Sequence, residues 1–334
     1  MAQSRRGFAL HGKTTKMSWP PLVIGCLFVT LILLFMRYNP HSHNINRLAQ
    51  PEHTKSHLLE ASIPSKIWQI FLPPSGHTSG NFTINPSQLV DTASWLATNP
   101  DYHYRLVTSK WADTFVDAHF ARSDPEIVQT YHALRNPGLK SDLLRYLILS
   151  IEGGVYSDTD TECLHPVDEW VGLDMKEKVK LIVGIEFDQR DGSAWADIPH
   201  ELQFSQWTIA AAPGHPIFPD MAARAVGSLK HLSVAYNQSL GEIKPSSIEV
   251  MNSTGPAAWT DVVFSHLQLA DPGLTSLRNL SFMTSPQLYG DILVLPIDGF
   301  GVGQMHSGST NDGSNPEAAL VRHHFRGSWR DPSS

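Results

Sequence analysis

Between residues 136 and 160 the chain spells out a helix, its stop, a short strand and a pair of carboxylates, and this succession constrains the fold more than any other stretch. Asn136 is a natural N-cap, and Pro137 suits the first helical position, where a missing N–H costs nothing. Leu139, Leu143, Leu144, Leu147, Ile148 and Ile151 then recur at three- and four-residue spacing, which predicts a helix over 137–152 with one wide apolar face. Gly153-Gly154 stops it. Val155-Tyr156-Ser157 reads as a short strand, and Asp158-Thr159-Asp160 follows at its end. Residues two apart in extended chain point the same way, so both carboxylates can reach one hard divalent cation. Taken alone, Asp-x-Asp also reads as an exposed turn. Asp142 and Arg145, three apart on the helix, read alone as an ion pair contributing about a few tenths of a kcal/mol.

Apolar or β-branched runs at 66–71, 104–108, 155–157, 179–187, 208–212 and 292–296 alternate with helical patterns around 87–98, 110–120, 125–134, 137–152, 216–232 and 256–269. That alternation predicts an α/β fold with a mostly parallel sheet. No internal repeat or low-complexity block interrupts it. A formal net charge of −7 offers no basic surface for a phosphate backbone and argues against a nucleic-acid partner.

Residues 20–36 carry no charge and are long enough for a short membrane span, near the lower limit of ~17 residues. Arg5, Arg6, Lys13 and Lys16 precede them without an acidic residue, which places the N-terminus in the cytosol and the rest in a lumen. A cleaved signal peptide competes, but Met36-Arg37-Tyr38-Asn39-Pro40-His41 has no small-x-small cleavage site. The expected organisation is a cytosolic tail 1–19, a signal-anchor 20–36, a solvated stem 37–62 and a lumenal domain 63–334. Sequons begin at Asn81, Asn237, Asn252 and Asn279, all after the span, and Asn252 abuts a segment expected to be buried. The two cysteines, Cys26 in the span and Cys163, cannot pair across a membrane boundary, so the lumenal domain has no internal disulfide. A short span fits a thin early secretory membrane.

The segment from Lys140-Ser141-Asp142-Leu143-Leu144-Arg145-Tyr146 through Gly153-Gly154-Val155-Tyr156-Ser157-Asp158-Thr159-Asp160 resembles the sugar-binding Asp-x-Asp region of glycosyltransferase family 32, most of all its fungal initiating α-1,6-mannosyltransferases. Four further segments look like family blocks in the right order: Ile63-Pro64-Ser65-Lys66-Ile67-Trp68-Gln69, the run from Gln206-Trp207-Thr208 to His215-Pro216, Thr254-Gly255-Pro256, and the run from His323-His324 to Ser328-Trp329. The resemblance implies a single nucleotide-sugar-binding domain of the GT-A type. It implies a Golgi type II membrane enzyme moving mannose from GDP-mannose to the core mannose of glycoprotein N-glycans, with retention, and working in a complex with other Golgi mannosyltransferases. The alternatives are a family member acting on inositol phosphoceramide, whose known members carry C-terminal spans this chain lacks, one using a UDP-sugar, and a non-catalytic lumenal sugar-binding subunit.

The same resemblance assigns roles. Asp158 and Asp160 are the expected catalytic metal ligands, and a third ligand comes from His323-His324, with His324 preferred. An imidazole tilts the metal toward Mn²⁺ over Mg²⁺. Asp142, Arg145, Tyr156, Asp158, Ser328 and Trp329 are the expected donor-binding residues. Glu186 and Asp188, at the end of the strand Leu181-Ile182-Val183-Gly184-Ile185, and Asp191 beyond it are candidates for the acceptor side, although a solvated strand-to-loop transition is the plainer reading. Trp195 and Trp207 are candidate sugar platforms, with core packing the better reading for Trp207. An aspartyl-phosphate phosphatase would need Thr or Val four residues after Asp158, where this chain has Glu162.

Overall fold

A computed structural model describes residues 62–73, 86–195 and 198–326. The proposed span 20–36, the stem up to residue 61, Asn81, Ser328 and Trp329 lie outside them. Among the described residues no helix is long and apolar enough to cross a membrane.

The chain runs β1 (Lys66–Ile70), α1 (Thr92–Thr98), β2 (His103–Val107), α2 (Ser109–Phe120), α3 (Pro125–Ala133), α4 (Pro137–Glu152), β3 (Gly154–Ser157), β4 (Thr161–Cys163), β5 (Leu181–Asp188), β6 (Leu202–Phe204) and β7 (Thr208–Ala211). It continues with α5 (Ile217–Tyr236), α6 (Ser247–Ser253), α7 (Pro256–Ala270), β8 (Gln287–Tyr289), β9 (Ile292–Leu295), α8 (Ile297–Gly301) and β10 (Val321–His323). All six apolar runs become strands. The main sheet has the order β2-β1-β3-β7-β5-β9-β8, with β6 paired to β5. It is mixed: β2, β1, β3, β5 and β9 share one direction, while β7, β8 and β6 run against them.

Strand alternation splits the core between the two faces of this sheet. Trp68, Tyr156, Leu181, Val183, Ile209 and Val294 join one apolar cluster with α4, α5 and α7. Ile67, Val155, Ile182, Ala210 and Leu293 join the other, with Trp95, Trp170, Trp207 and Phe300.

Helix α4 begins as its sequence predicts, with Asn136 Oδ1 accepting from the Gly138 and Leu139 amides at 2.9 and 3.2 Å. Its apolar face is wider than expected, because Tyr146 and Leu149 are buried along with the leucines, while Ile151 at the end is exposed. The two glycines that stop it are required by space as well as by backbone. Gly154 has φ +98°, and a Cβ there would sit 2.7 Å from the Lys66 carbonyl oxygen in β1. A side chain would therefore push β3 off its neighbour. Asn237, Asn252 and Asn279 are all exposed, so Asn252 is not carried into the core by the buried residues that follow it.

Candidate metal and donor-binding site

Asp158 sits one residue beyond β3, and three separate elements fix its backbone. Its amide donates to the Trp207 carbonyl at 2.9 Å, and its carbonyl accepts from Gln69 Nε2 of β1 at 2.9 Å and from Thr161 Oγ1 at 2.6 Å. The turn is pinned underneath by Ser157 Oγ, which lies 2.8 Å from Thr161 Oγ1 and 2.7 Å from Thr208 Oγ1. Gln69 is itself oriented by Thr92 and Tyr104, whose hydroxyls both donate to its Oε1 at 2.9 Å.

Beside this turn, Asp142 and Arg145 are not a surface pair. They are 5% and 4% exposed, and Arg145 Nη2 lies 2.9 Å from Asp142 Oδ1. The guanidinium also donates through Nη1 to the Gln206 carbonyl at 3.3 Å, lies 3.5 Å from Asp158 Oδ1, and stands 4.7 Å from the centre of the Tyr156 ring. Asp142 accepts from Thr254 Oγ1 at 2.8 Å and Gln206 Nε2 at 3.2 Å. Burial pushes the Asp142 carboxyl up to about 6, with Arg145, Thr254 and Gln206 pulling the other way. Tyr146 closes the network, its hydroxyl within reach of Gln206 Oε1 and 2.9 Å from the Thr254 carbonyl. Arg145 Nε has no partner among the described residues. Tyr156 donates its hydroxyl to Asp158 Oδ1, so it binds the first aspartate of the motif directly.

The C-terminal segment completes the site through β10, which pairs antiparallel with β4 and sets His323 opposite Thr161. Asp158, Asp160 and His323 offer one ligand atom each, all within 4.8 Å of one another. His323 Nε2 is 3.1 Å from Asp160 Oδ1, and the Arg326 amide donates to Asp160 Oδ2 at 2.9 Å. His324, the histidine preferred from the sequence, turns away. Its Nε2 lies 3.6 Å from both Asp91 Oδ1 and Glu162 Oε2, and its amide bonds the Asp160 carbonyl. The reason is strand alternation: neighbours along an extended segment face opposite ways, so only one of two adjacent histidines meets the aspartates. Burial raises the Asp158 carboxyl, opposed chiefly by Arg145. Burial also pushes Asp160 upward, but His323 and the Arg326 amide outweigh it and hold that carboxyl low. Two carboxylates and an imidazole are a donor set suited to Mn²⁺ and less so to Mg²⁺.

The remaining candidates divide. Glu186 is half-buried and faces this site, accepting Gln203 Nε2 at 2.7 Å and the Trp207 indole N–H at 2.9 Å, and burial raises its carboxyl. Trp207 lies stacked on His323 at 4.7 Å and 22°, so its ring is buried against a metal-ligand candidate and offers no open sugar platform. Asp188 is a structural clamp, its carboxylate accepting the Ser281 hydroxyl and the Arg190 and Phe282 amides. Asp191 is exposed, and so is Trp195. Gln69, Tyr146, Gln206 and Thr254 were not assigned roles from the sequence. All four lie in the segments that carry the family resemblance, and Tyr146 directly follows Arg145.

Residues 87–175 match the family described as the glycosyltransferase sugar-binding region containing the DXD motif. The chain belongs to that family of glycosyltransferases. Over most of its length it is similar to the initiation-specific α-1,6-mannosyltransferase of Schizosaccharomyces pombe, at 35% identity across 81% of this chain and 65% of that protein. The protein of the same name from Candida albicans is 34% identical across 71% of this chain and 66% of its own length. That from Saccharomyces cerevisiae is 24% identical across 81% and 79%. The chain thus spans about two thirds of the length of the first two relatives.

Proposed function

We propose that this chain is a metal-dependent retaining mannosyltransferase that moves mannose from GDP-mannose to the core mannose of an N-glycan. We propose further that it is a type II Golgi membrane protein working beside other Golgi mannosyltransferases. The observation that carries the reading is the meeting of Asp158, Asp160 and His323 beside the buried Asp142–Arg145 network. The names of the similar mannosyltransferases support the choice of sugar.

A bound Mn²⁺ supplies Lewis-acid neutralisation of the leaving diphosphate. Asp158, Asp160 and His323 are the residues that would hold it. Arg145 brings a permanently charged fork into the same pocket, suited to a phosphate or a sugar hydroxyl. Asp142, Gln206 and Thr254 keep that fork in one orientation, so none of its geometry has to be found during the reaction. Tyr156 holds Asp158 from below and fixes which of its oxygens is already committed.

The test is a screen of nucleotide sugars with the full-length chain, an oligomannose acceptor, and arms containing EDTA or Mn²⁺. Transfer of mannose from GDP-mannose, lost in EDTA and restored by Mn²⁺, is the expected result. Turnover of a UDP-sugar instead would overturn the donor, and full activity in EDTA would overturn the metal.

A further inference from the structure

The last residues of β5 serve two different surroundings. Glu186 belongs to the wall of the metal site through Trp207. Phe187, the next residue, packs under two rings instead, with centroids 5.5 Å to Trp195 and 5.6 Å to His306. Those two rings meet edge-on at 4.7 Å and 71°. Trp195 is 47% exposed, whereas every other tryptophan among the described residues is buried or half-buried. The exposed indole is backed by the buried Phe187 ring and flanked by the half-buried His306 ring, so it is held in place and not swinging free in solvent.

The imidazole beside it is held, not loose. The Asp188 amide of β5 donates to Ser307 Oγ at 2.8 Å, and Ser307 Oγ lies 2.8 Å from His306 Nδ1. Nδ1 is thereby occupied by the serine, and Nε2 is the ring nitrogen left for a further partner. Burial holds His306 below the ordinary imidazole value, in keeping with a neutral ring. An indole face beside a held ring nitrogen is the pairing that a sugar ring satisfies, with its C–H face on the aromatic plane and a hydroxyl, donor or acceptor, on the nitrogen.

We propose that Trp195 and His306 form the platform for the acceptor glycan, the indole taking the apolar face of one sugar ring and His306 Nε2 sharing a hydrogen bond with a hydroxyl. This rests on the transferase reading above; Phe187, which supports the platform, adjoins Glu186 in β5, whose carboxylate accepts from the Trp207 indole stacked on His323.

The test measures initial rates of the full-length chain against oligomannose acceptor concentration and, separately, against donor concentration. Trp195→Ala should raise the acceptor KM roughly tenfold, the size of one lost stacking contact. Trp195→Phe should raise it less, and His306→Ala should raise it too. Donor KM and kcat should hold in all three, a split that a general loss of structure would not produce. An unchanged acceptor KM in Trp195→Ala would overturn the platform, as would a rise in donor KM of equal size. A change in sedimentation behaviour without a kinetic change would do the same, because it would assign the patch to a second protein. Wild-type chain that turns over no nucleotide sugar would instead overturn the transferase reading itself.

Discussion

The two halves of the site are held by opposite means. Asp142 and Arg145 lie three apart on α4, are buried, and are bonded to Gln206, Thr254 and each other, with Arg145 Nε alone left without a partner among the described residues. Asp160 and His323 stand 163 residues apart and are joined by a pair of three-residue strands, β4 and β10. The first half is therefore part of the core and stands whether or not a ligand is present. The second joins Asp160 and His323 by one hydrogen bond across that strand pair, with the Asp158 carboxylate beside them, and a cation bound there would screen the two carboxylates from each other. Substitutions should reveal this as fold loss in one half and chemistry loss in the other.

The largest effect is expected from Asp158→Asn and Asp160→Asn. Each should lower transfer by about 100-fold or more, because the diphosphate is no longer neutralised, while the thermal midpoint stays close to wild type. Initial rates beside thermal denaturation check this, and a collapse of the fold in Asp160→Asn would erase the difference between the halves.

Arg145→Ala should do the reverse in kind, removing stability along with activity. It leaves the Asp142 carboxylate buried without a cation, a loss of about 3–5 kcal/mol, or on the order of 10 °C in thermal midpoint. An unaltered midpoint would show that the pair is not structural. Thr254→Val is smaller and sharper. It keeps the shape and removes one hydroxyl donor from Asp142, which should cost about 1–3 kcal/mol, visible as a shift in denaturant midpoint with unchanged slope. A neutral result would mean that the network tolerates an open acceptor.

Much of the first half was legible in the sequence because it is local. The cap, the face and the stop of α4 follow from Asn136, the leucines and Gly153-Gly154, and the carboxylates at 158 and 160 follow from their position after β3. What one helix cannot disclose is who satisfies its buried charges. Thr254 and Gln206 come from segments 112 and 64 residues from Asp142 and carry no periodic signal of their own. The second half was harder still, since β4, β6, β8 and β10 have three residues each, too few for alternation to be read. The choice between His323 and His324 depended on the register of β10 against β4, which adjacent identical residues do not encode. The mostly parallel sheet was legible, but the reversal of β7 against its neighbours β3 and β5 was not, because β7 has the same apolar composition as they do.

Whether Asp158, Asp160 and His323 together hold a divalent cation is decided by Mn²⁺ binding to the full-length chain, followed by electron paramagnetic resonance without any sugar nucleotide. One bound Mn²⁺ is expected in the wild type, with an affinity weakened roughly 10- to 100-fold by His323→Ala and nearly unchanged in His324→Ala. Binding that survives His323→Ala and fails in His324→Ala would contradict it.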